Sequence, residues 1–168
     1  GLVFQEEMVR ILRYVGGQTI FDIRPINYAP GTSIPRSVVA HEGVVYYISP
    51  VGFIALDGLS PRRIGENRVD NYFFSTFYNT GNADNYVSVA PDAQRKIIWW
   101  AYPTGNTAYA DKMLGYKYDE GRWVEWVPEQ GIETLAFIRN SLFDPILLAA
   151  GVDHKVSSFT ASTTLAGV

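Results

Sequence analysis

The side chains of this sequence that could do chemistry are two histidines and one serine beside a glycine. His41 and His154 both lie in predicted turns, and neither has a second metal ligand at a zinc-binding spacing. Ser33 follows Gly31 as in a nucleophile elbow, but Pro35 replaces the second glycine and no strand-turn-helix pattern surrounds it. We therefore expect two solvated turn histidines and predict no catalytic residue, no metal and no cofactor.

One hairpin turn indicates a second kind of chemistry, the recognition or hydrolysis of a glycan. Residues 118–123 (Tyr-Asp-Glu-Gly-Arg-Trp) are similar to the Asp-box turn of sialidase-like propellers, in which an acidic residue and a glycine close a hairpin. The spacing is one residue short and one copy is visible. We expect Asp119 and Gly121 to cap the turn and Trp123 to pack between sheets, because no second carboxylate can be paired with Asp119 as glycosidases require.

The tryptophans form two clusters. Trp99 and Trp100 are adjacent, and Trp123 and Trp126 are three positions apart, so in a strand the two members of each pair point to opposite faces. An exposed ring could serve as a sugar platform. Large aromatic side chains more often fill the space between packed sheets, and we predict core packing for these residues.

Composition and charge restrict the class of protein. The 168 residues are 47% hydrophobic and 14% aromatic but only 18% charged, which is typical of all-β proteins. A net charge of -3 predicts no specific nucleic-acid partner, and the basic pairs at 62–63 and 95–96 are expected to be solvated charges on strand edges. With 0 cysteines, disulfides and thiolate zinc sites are excluded. No apolar run approaches the roughly 20 residues of a membrane span, so no membrane partner is predicted.

Short strands and tight turns recur along the chain. Residues 37–65 predict four strands separated by three turns, with strands at 37–39 and 44–48 among them. The same pattern returns at 86–89, 97–102, 112–118 and 122–126. A four-stranded meander used repeatedly is the building block of β-propellers, in which each blade covers faces of its neighbours. The predicted fold class is therefore all-β, a propeller-like array of four-stranded antiparallel meanders.

The predicted array has about four blades in a single domain or fragment spanning residues 1–168. Its units are roughly 1–27, 36–65, 84–128 and 132–168, and the first lacks its innermost strand. Residues 28–35 read as a linker because of their prolines and glycine. Apolar spacings of three and four predict one short helix near 67–77, capped by Asn67.

The fourth unit carries the weakest pattern, with strands predicted at 133–138, 146–150, 155–159 and 163–166. Its turns are predicted at 140–141, 153–154 and 161–162. Two polar loops, 79–85 and 104–109, are the predicted contact segments, because loops inserted on a rigid scaffold usually carry recognition. The candidate partner-contact residues are Thr104, Asn106, Tyr109, Asn79, Asn82 and Asp84.

An ordered succession of apolar and turn motifs resembles a widespread set of tailed-bacteriophage virion proteins. It includes Tyr-Val-Gly-Gly at 14–17, Pro-Arg-Ser-Val-Val at 35–39, the strand from 43 to 49, Leu-Asp-Gly at 56–58, Ile-Ile-Trp-Trp-Ala-Tyr-Pro at 97–103 and the segment from 112 to 118. The resemblance extends over most of the chain. Members of this set are generally longer and have sequence before the position where this chain begins, in agreement with the missing strand.

The resemblance implies a non-enzymatic structural protein of the head-to-tail connector or the tail, similar to nozzle proteins. Its expected partners are other virion proteins and symmetry-related copies of itself. Its expected location is the virion, after assembly in the host cytoplasm. The alternative from another class is a carbohydrate-binding or glycan-processing β-propeller, and a third is a general cellular scaffold domain that would be a closed monomer.

Overall fold

The computed structural model describes residues 1–77, 83–139 and 145–158. These residues form fourteen strands in four antiparallel sheets, one α-helix and two 3-10 helices. Each sheet is open, with two edge strands. Packing divides the chain into two compact units, Gly1–Asp70 and the described residues from Asn71 onward. The all-β prediction and the repeated antiparallel meander are confirmed.

The first unit contains two sheets. The first sheet has three strands in sequence order, β1 (Leu2–Phe4), β2 (Met8–Tyr14) and β3 (Phe21–Pro30). The second sheet has four, β4 (Val39–His41), β5 (Val44–Ser49), β6 (Gly52–Asp57) and β7 (Ser60–Arg63). As predicted, the first sheet has one strand fewer than the second.

The core of the first unit lies between these two sheets. Val9 and Ile26 of the first sheet pack with Tyr47 and Leu56 of the second. The Phe4 ring meets the Tyr47 ring edge-on, with centroids 5.1 Å apart. The Tyr47 hydroxyl also donates a hydrogen bond of 2.8 Å to the carbonyl of Pro30, which satisfies a polar group beside the core.

The second unit also contains two sheets. The third sheet consists of β8 (Ser88–Asp92), β9 (Ile97–Tyr102), β10 (Lys112–Lys117) and β11 (Arg122–Trp126). The fourth consists of β12 (Ile132–Arg139), β13 (Pro145–Gly151) and β14 (Val156–Ser158). The helix α1 (Asp70–Thr76) precedes the third sheet in sequence, and a 3-10 helix, Ala83–Tyr86, leads into β8.

The third sheet is covered on both faces. On one face Trp99 and Ala101 pack with Leu135 and Leu147 of the fourth sheet. On the opposite face the ring of Tyr102 lies 4.9 Å from that of Phe73, measured between centroids. Every residue of β9 is consequently buried.

Gly115 in β10 makes room for the central tryptophan. It pairs with Trp99 across the strands, and a Cβ at this position would lie 2.7 Å from the Trp99 ring. Both Trp99 and Trp100 are buried, as predicted. The third and fourth sheets are further joined by a 3.1 Å hydrogen bond from the Leu135 amide to the Ser88 hydroxyl.

Two predictions in the first unit are wrong in their boundaries. The linker expected at 28–35 begins later, because β3 continues to Pro30. β3 is an edge strand, where a proline removes no hydrogen bond that the sheet needs. The strand expected at 37–39 begins later, as β4, since Pro35–Ser37 forms a 3-10 helix.

His41 ends β4, and its side chain is only 13% exposed. The prediction that His41 is a solvated turn residue is therefore wrong.

The helix α1 begins at Asp70, three residues after the predicted start at 67. Asn67 has a φ of 57° and lies in a turn, so it does not cap α1. The carbonyl of Gly65 instead accepts backbone hydrogen bonds from Arg68, Val69 and Asp70. The predicted strand at 86–89 likewise begins at Ser88.

Several other predictions are decided by the described residues. The turn at 118–121 is confirmed, with Gly121 at a φ of 65° and its amide 2.8 Å from the Lys117 carbonyl. His154 lies exposed in a turn, as expected. Arg95 is not a solvated charge, because it is half-buried and donates a 2.7 Å hydrogen bond to the buried Asp92 carboxylate. The predicted strand at 163–166 and the turns at 140–141 and 161–162 lie outside the described residues.

Candidate interaction surfaces

The loop between β9 and β10 is held in place by hydrogen bonds among its own residues and Asp111. The Asp111 carboxylate accepts hydrogen bonds of 2.7 Å from both the amide and the hydroxyl of Thr104. The Thr107 hydroxyl donates to the carbonyl of Tyr109 at 2.9 Å. Asn106 is exposed at the tip. The loop therefore presents Asn106 on a pre-organised frame.

Tyr109 anchors this loop. Its half-buried ring lies against Gly131, where an added Cβ would be 2.3 Å from the ring. The adjacent Ala110 exchanges two backbone hydrogen bonds of 2.8 Å with Ile132 at the start of β12. Of the contact residues predicted in this loop, Asn106 is exposed, whereas Thr104 and Tyr109 are half-buried and hold the loop in place.

Asp84 lies near the same end of the third sheet. It belongs to the 3-10 helix before β8, and Ser88 at the start of β8 pairs with Ala101 near the end of β9. The structure thus brings Asp84 and the loop at 104–109 to one end of the sheet. The other two predicted contact residues, Asn79 and Asn82, lie outside the described residues.

A charged group that the sequence did not predict lies at this end as well. The Lys112 ammonium donates a 2.6 Å hydrogen bond to the Tyr72 hydroxyl and is 3.4 Å from the Glu125 carboxylate. The bond to Tyr72 raises the pKa of Lys112, and the Glu125 charge adds to that effect, against a smaller effect of burial. The Lys112 ammonium is thus already engaged by two groups of the same chain at this end of the sheet.

The outer face of the first sheet is an apolar surface with several exposed side chains. We define it as the side chains of Val3, Leu12, Tyr14, Phe21, Ile23 and Pro25, which the strand register places on the side opposite the core of the first unit. Tyr14 is 75% exposed, Phe21 56% and Ile23 52%. The Tyr14 and Phe21 rings meet edge-on, 5.9 Å between centroids. This surface is an apolar patch that also holds one charged side chain of these strands, Arg10, whose Nε donates to Gln5 at 2.7 Å.

The fourth sheet carries a second such surface. We define its outer face as Ala136, Ile138, Ile146, Leu148, Ala150 and Val156, which the register places opposite the side that packs on the third sheet. Val156 is 66% exposed and Ile138 is 43% exposed. Sequence reasoning missed both outer faces, although the alternation of apolar residues across the Gly16-Gly17 turn could have indicated the first one.

A cleft of about 500 Å³ in the first unit is lined by Glu7, Tyr28, Val51 and Arg63, among others. The guanidinium of Arg63 is already engaged, since it donates at 2.8 Å to the Val51 carbonyl and to Glu66. It also lies 3.5 Å from the Asp70 carboxylate. The cleft therefore offers no cation that is free to bind an anionic ligand.

Asp70 is a buried carboxylate that serves the fold. It accepts a 3.0 Å hydrogen bond from the Phe53 amide, and Cβ atoms at Gly52 and Gly65 would lie 2.2 and 1.9 Å from its oxygens. Burial raises the pKa of Asp70, while the Phe53 amide and the Arg63 charge act in the opposite direction. The two glycines thus leave space for a carboxylate that ties α1 to β6.

Trp123 lines a cleft of about 570 Å³ in the second unit, beside Gln94 and Arg122. Its half-buried ring is 5.1 Å from Tyr116 and 6.0 Å from Trp100, measured between centroids. The two carboxylates of this cleft are ion-paired. Asp119 is 3.4 Å from the Lys96 ammonium, and Glu120 pairs with Lys117.

Within residues 1–77, 83–139 and 145–158, no group of three or more histidine, aspartate or glutamate side chains could hold a metal ion. Over the same part of the chain, no helix has the length and apolar character needed to cross a bilayer. Among the described residues, the candidate binding surfaces are the two outer faces, the loop end of the third sheet and the clefts.

Comparison with known proteins does not assign a function. No protein-family model matches the sequence. The curated proteins likewise include none with significant similarity to it.

Proposed function

We propose that this protein is a non-enzymatic structural module that assembles with other proteins through its sheet faces and loops. The observation that carries the proposal is the outer face of the first sheet, where Tyr14, Phe21 and Ile23 are each more than half exposed. Soluble monomers rarely expose a contiguous apolar patch without a role in binding. Burying such side chains against a partner gains roughly 25 cal/mol for each Å² removed from water.

We further propose that the assembly is a phage virion, at the head-to-tail connector or in the tail. This step is supported by the resemblance of the sequence to tailed-phage virion proteins. Its segments include three strands of the described sheets, Val44–Ser49, Ile97–Tyr102 and Lys112–Lys117. The proposed partners are other virion proteins and further copies of this chain.

The propeller-like arrangement belongs to the same proposal. Within each unit, one antiparallel meander packs its apolar face on the next, as neighbouring blades of a propeller do. The first and second sheets form one such pair, and the third and fourth sheets form the other.

Mass spectrometry of purified phage particles tests the virion proposal. Peptides of this chain should be recovered from particles in amounts comparable to those of connector or tail proteins, and its gene should lie beside portal, capsid and tail genes. If the chain is made in infected cells but is absent from intact particles, the virion proposal is wrong.

Glycan binding is a second candidate, favoured by the half-buried Trp123 ring at the cleft beside Arg122. Aromatic rings with nearby polar groups suit a sugar, although both carboxylates of the cleft are ion-paired. A glycan array should give hits that Trp123→Ala abolishes and that Trp126→Ala, the matched control on the same strand, retains. An array without hits removes this candidate.

A further inference from the structure

We infer that the cleft of the first unit binds an arginine side chain of a partner protein, with its guanidinium held by the Glu7 carboxylate and the face of the Tyr28 ring. The site rests on the proposed assembly function and deepens it by naming the chemistry that a partner supplies. The cleft encloses about 500 Å³, a volume within the range of small-ligand sites.

The first observation is a bulge in β3 that exposes an aromatic ring. Opposite the single residue Val9 of β2, β3 places the four residues 26–29. Ile26 and Ala29 are buried in the core of the unit, whereas Tyr28 between them is 97% exposed. Tyr28 has a φ of 59°, a left-handed conformation that a bulky residue rarely adopts. Backbone strain of this kind concentrates at binding sites, where the surrounding packing imposes it.

The second observation is an unpaired carboxylate at the same cleft. Glu7 lines the cleft from the turn between β1 and β2, and it has no hydrogen-bond or ion-pair partner among the described residues. The Thr32 amide donates a 2.8 Å hydrogen bond to the Gln5 carbonyl of this turn. Gly31 permits the approach, because a Cβ there would lie 1.9 Å from the same oxygen. The backbone that carries Glu7 is therefore held beside the segment that follows Tyr28.

The third observation is the sign of the charge at the cleft. Among the described residues, Arg63 is the one basic residue that lines it. Its guanidinium donates to Glu66 at 2.8 Å and lies 3.5 Å from the Asp70 carboxylate. The Arg63 charge is thus offset by two carboxylates, and Glu7 adds a negative charge that no neighbour offsets. Such a site attracts a cation and repels an anion.

The identity of the cation follows from the ring, the carboxylate and the apolar walls. A guanidinium stacks on an aromatic face and binds a carboxylate through two parallel hydrogen bonds, whereas the ammonium of lysine is a more strongly hydrated point charge. Pro25, Ile54 and Pro61 supply apolar walls for the aliphatic part of the side chain. Arginine is the side chain that uses all three features.

Nuclear magnetic resonance of the isotope-labelled full chain tests the site, with N-acetyl-arginine amide as the probe at up to about 20 mM. Amide signals of the cleft residues should shift saturably, with a Kd on the order of 1 mM. N-acetyl-citrulline amide has nearly the same shape without the charge and should bind at least about tenfold more weakly. N-acetyl-lysine amide should bind at least about threefold more weakly.

Two variants and their matched controls locate the site. Glu7→Gln should weaken arginine binding by at least about fivefold, whereas Glu6→Gln, at a neighbouring position outside the cleft, should change it by less than about twofold. Tyr28→Gly should weaken binding similarly, whereas Tyr14→Ala on the outer face of the same sheet should retain it. The melting temperature of Tyr28→Gly should equal or exceed that of wild type, because glycine adopts a positive φ without strain and the lost ring was exposed.

Four outcomes would each overturn the site. They are the absence of saturable shifts at the cleft, a citrulline derivative that binds as tightly as the arginine derivative, a lysine derivative that does so, and unchanged binding in Glu7→Gln. A loss of melting temperature in Tyr28→Gly would show that the ring serves the fold instead. These outcomes are separate from the particle analysis, which alone decides the virion proposal.

Discussion

The third sheet buries both of its faces, whereas the first sheet buries only one of two apolar faces. In the third sheet, Trp99 packs on the fourth sheet and Tyr102 packs on Phe73 from the helix. In the first sheet, Val9 is fully buried, but Tyr14 on the outer face is 75% exposed. The alternation of apolar residues is similar in both sheets, so the difference lies in what each sheet has for a neighbour.

The comparison teaches that an apolar sheet face is favourable to bury, but that its composition does not identify the surface that packs against it. For the third sheet, the surfaces that pack against both faces belong to the same chain. For the outer face of the first sheet, the described residues supply no such cover. The following predictions test this contrast, from the largest expected effect to the smallest.

Trp99→Ala should lower the free energy of unfolding by about 3–5 kcal/mol, because it leaves a large cavity between the third and fourth sheets. Tyr14→Ala removes a ring of similar size from the first sheet, yet it should change that free energy by no more than about 0.5 kcal/mol in the monomer. Urea unfolding at low protein concentration measures both. Equal losses would show that the two faces do not differ in burial.

Asp111→Ala should lower the free energy of unfolding by about 1–2 kcal/mol, since the loop of the third sheet loses both hydrogen bonds from Thr104. Asp111→Asn retains an acceptor and should lose less. Hydrogen exchange at the Thr104 amide should accelerate in Asp111→Ala. An unchanged exchange rate would mean that the carboxylate does not hold the loop.

Tyr47→Phe and Tyr102→Phe should have different effects, although both hydroxyls lie beside cores. The Tyr47 hydroxyl bonds to Pro30, so its removal should lower the free energy of unfolding by about 1 kcal/mol. The Tyr102 hydroxyl is buried without a hydrogen-bond partner among the described residues, and its removal should be neutral or stabilising. Thermal unfolding of both variants measures the contrast, and a larger loss at Tyr102 would contradict it.

Alkaline pH should destabilise the protein through the same two tyrosines. Burial raises the pKa of Tyr47 to about 12, above the ordinary value of 10.0. Burial also raises the pKa of Tyr102. The unfolded chain therefore loses these protons first, so the stability is complete below pH 10.0 and is lost as the pH rises towards 12.

Each phenylalanine variant provides the control for this pH effect. Thermal unfolding followed from neutral pH to about 12 should show a smaller alkaline loss in Tyr47→Phe or Tyr102→Phe than in wild type. Identical pH profiles in all three proteins would show that neither phenol titrates on unfolding.

Much of the fold could be predicted because its signals are local. The strand predicted at 97–102 coincides with β9, and the one predicted at 44–48 covers all of β5 except Ser49, because both apolar runs end at turn residues. The start of the helix could not be predicted, because the side chain of Asp70 bonds to Phe53, 17 residues earlier in the chain. The candidate contact loop at 104–109 was predicted from its polar composition, but the anchoring of Tyr109 on Gly131 depends on another strand.

The amino-acid sequence by itself determined the strands, most of the turns and the apolar character of each sheet face, because these depend on a two-residue period and on local turn chemistry. The tertiary structure alone decided which faces are covered. It also decided which distant side chains meet, as Lys112 meets Tyr72 across 40 residues of sequence. The physical reason is that the hydrophobic effect is non-directional. It favours the removal of an apolar side chain from water, but it does not select the surface against which that side chain packs.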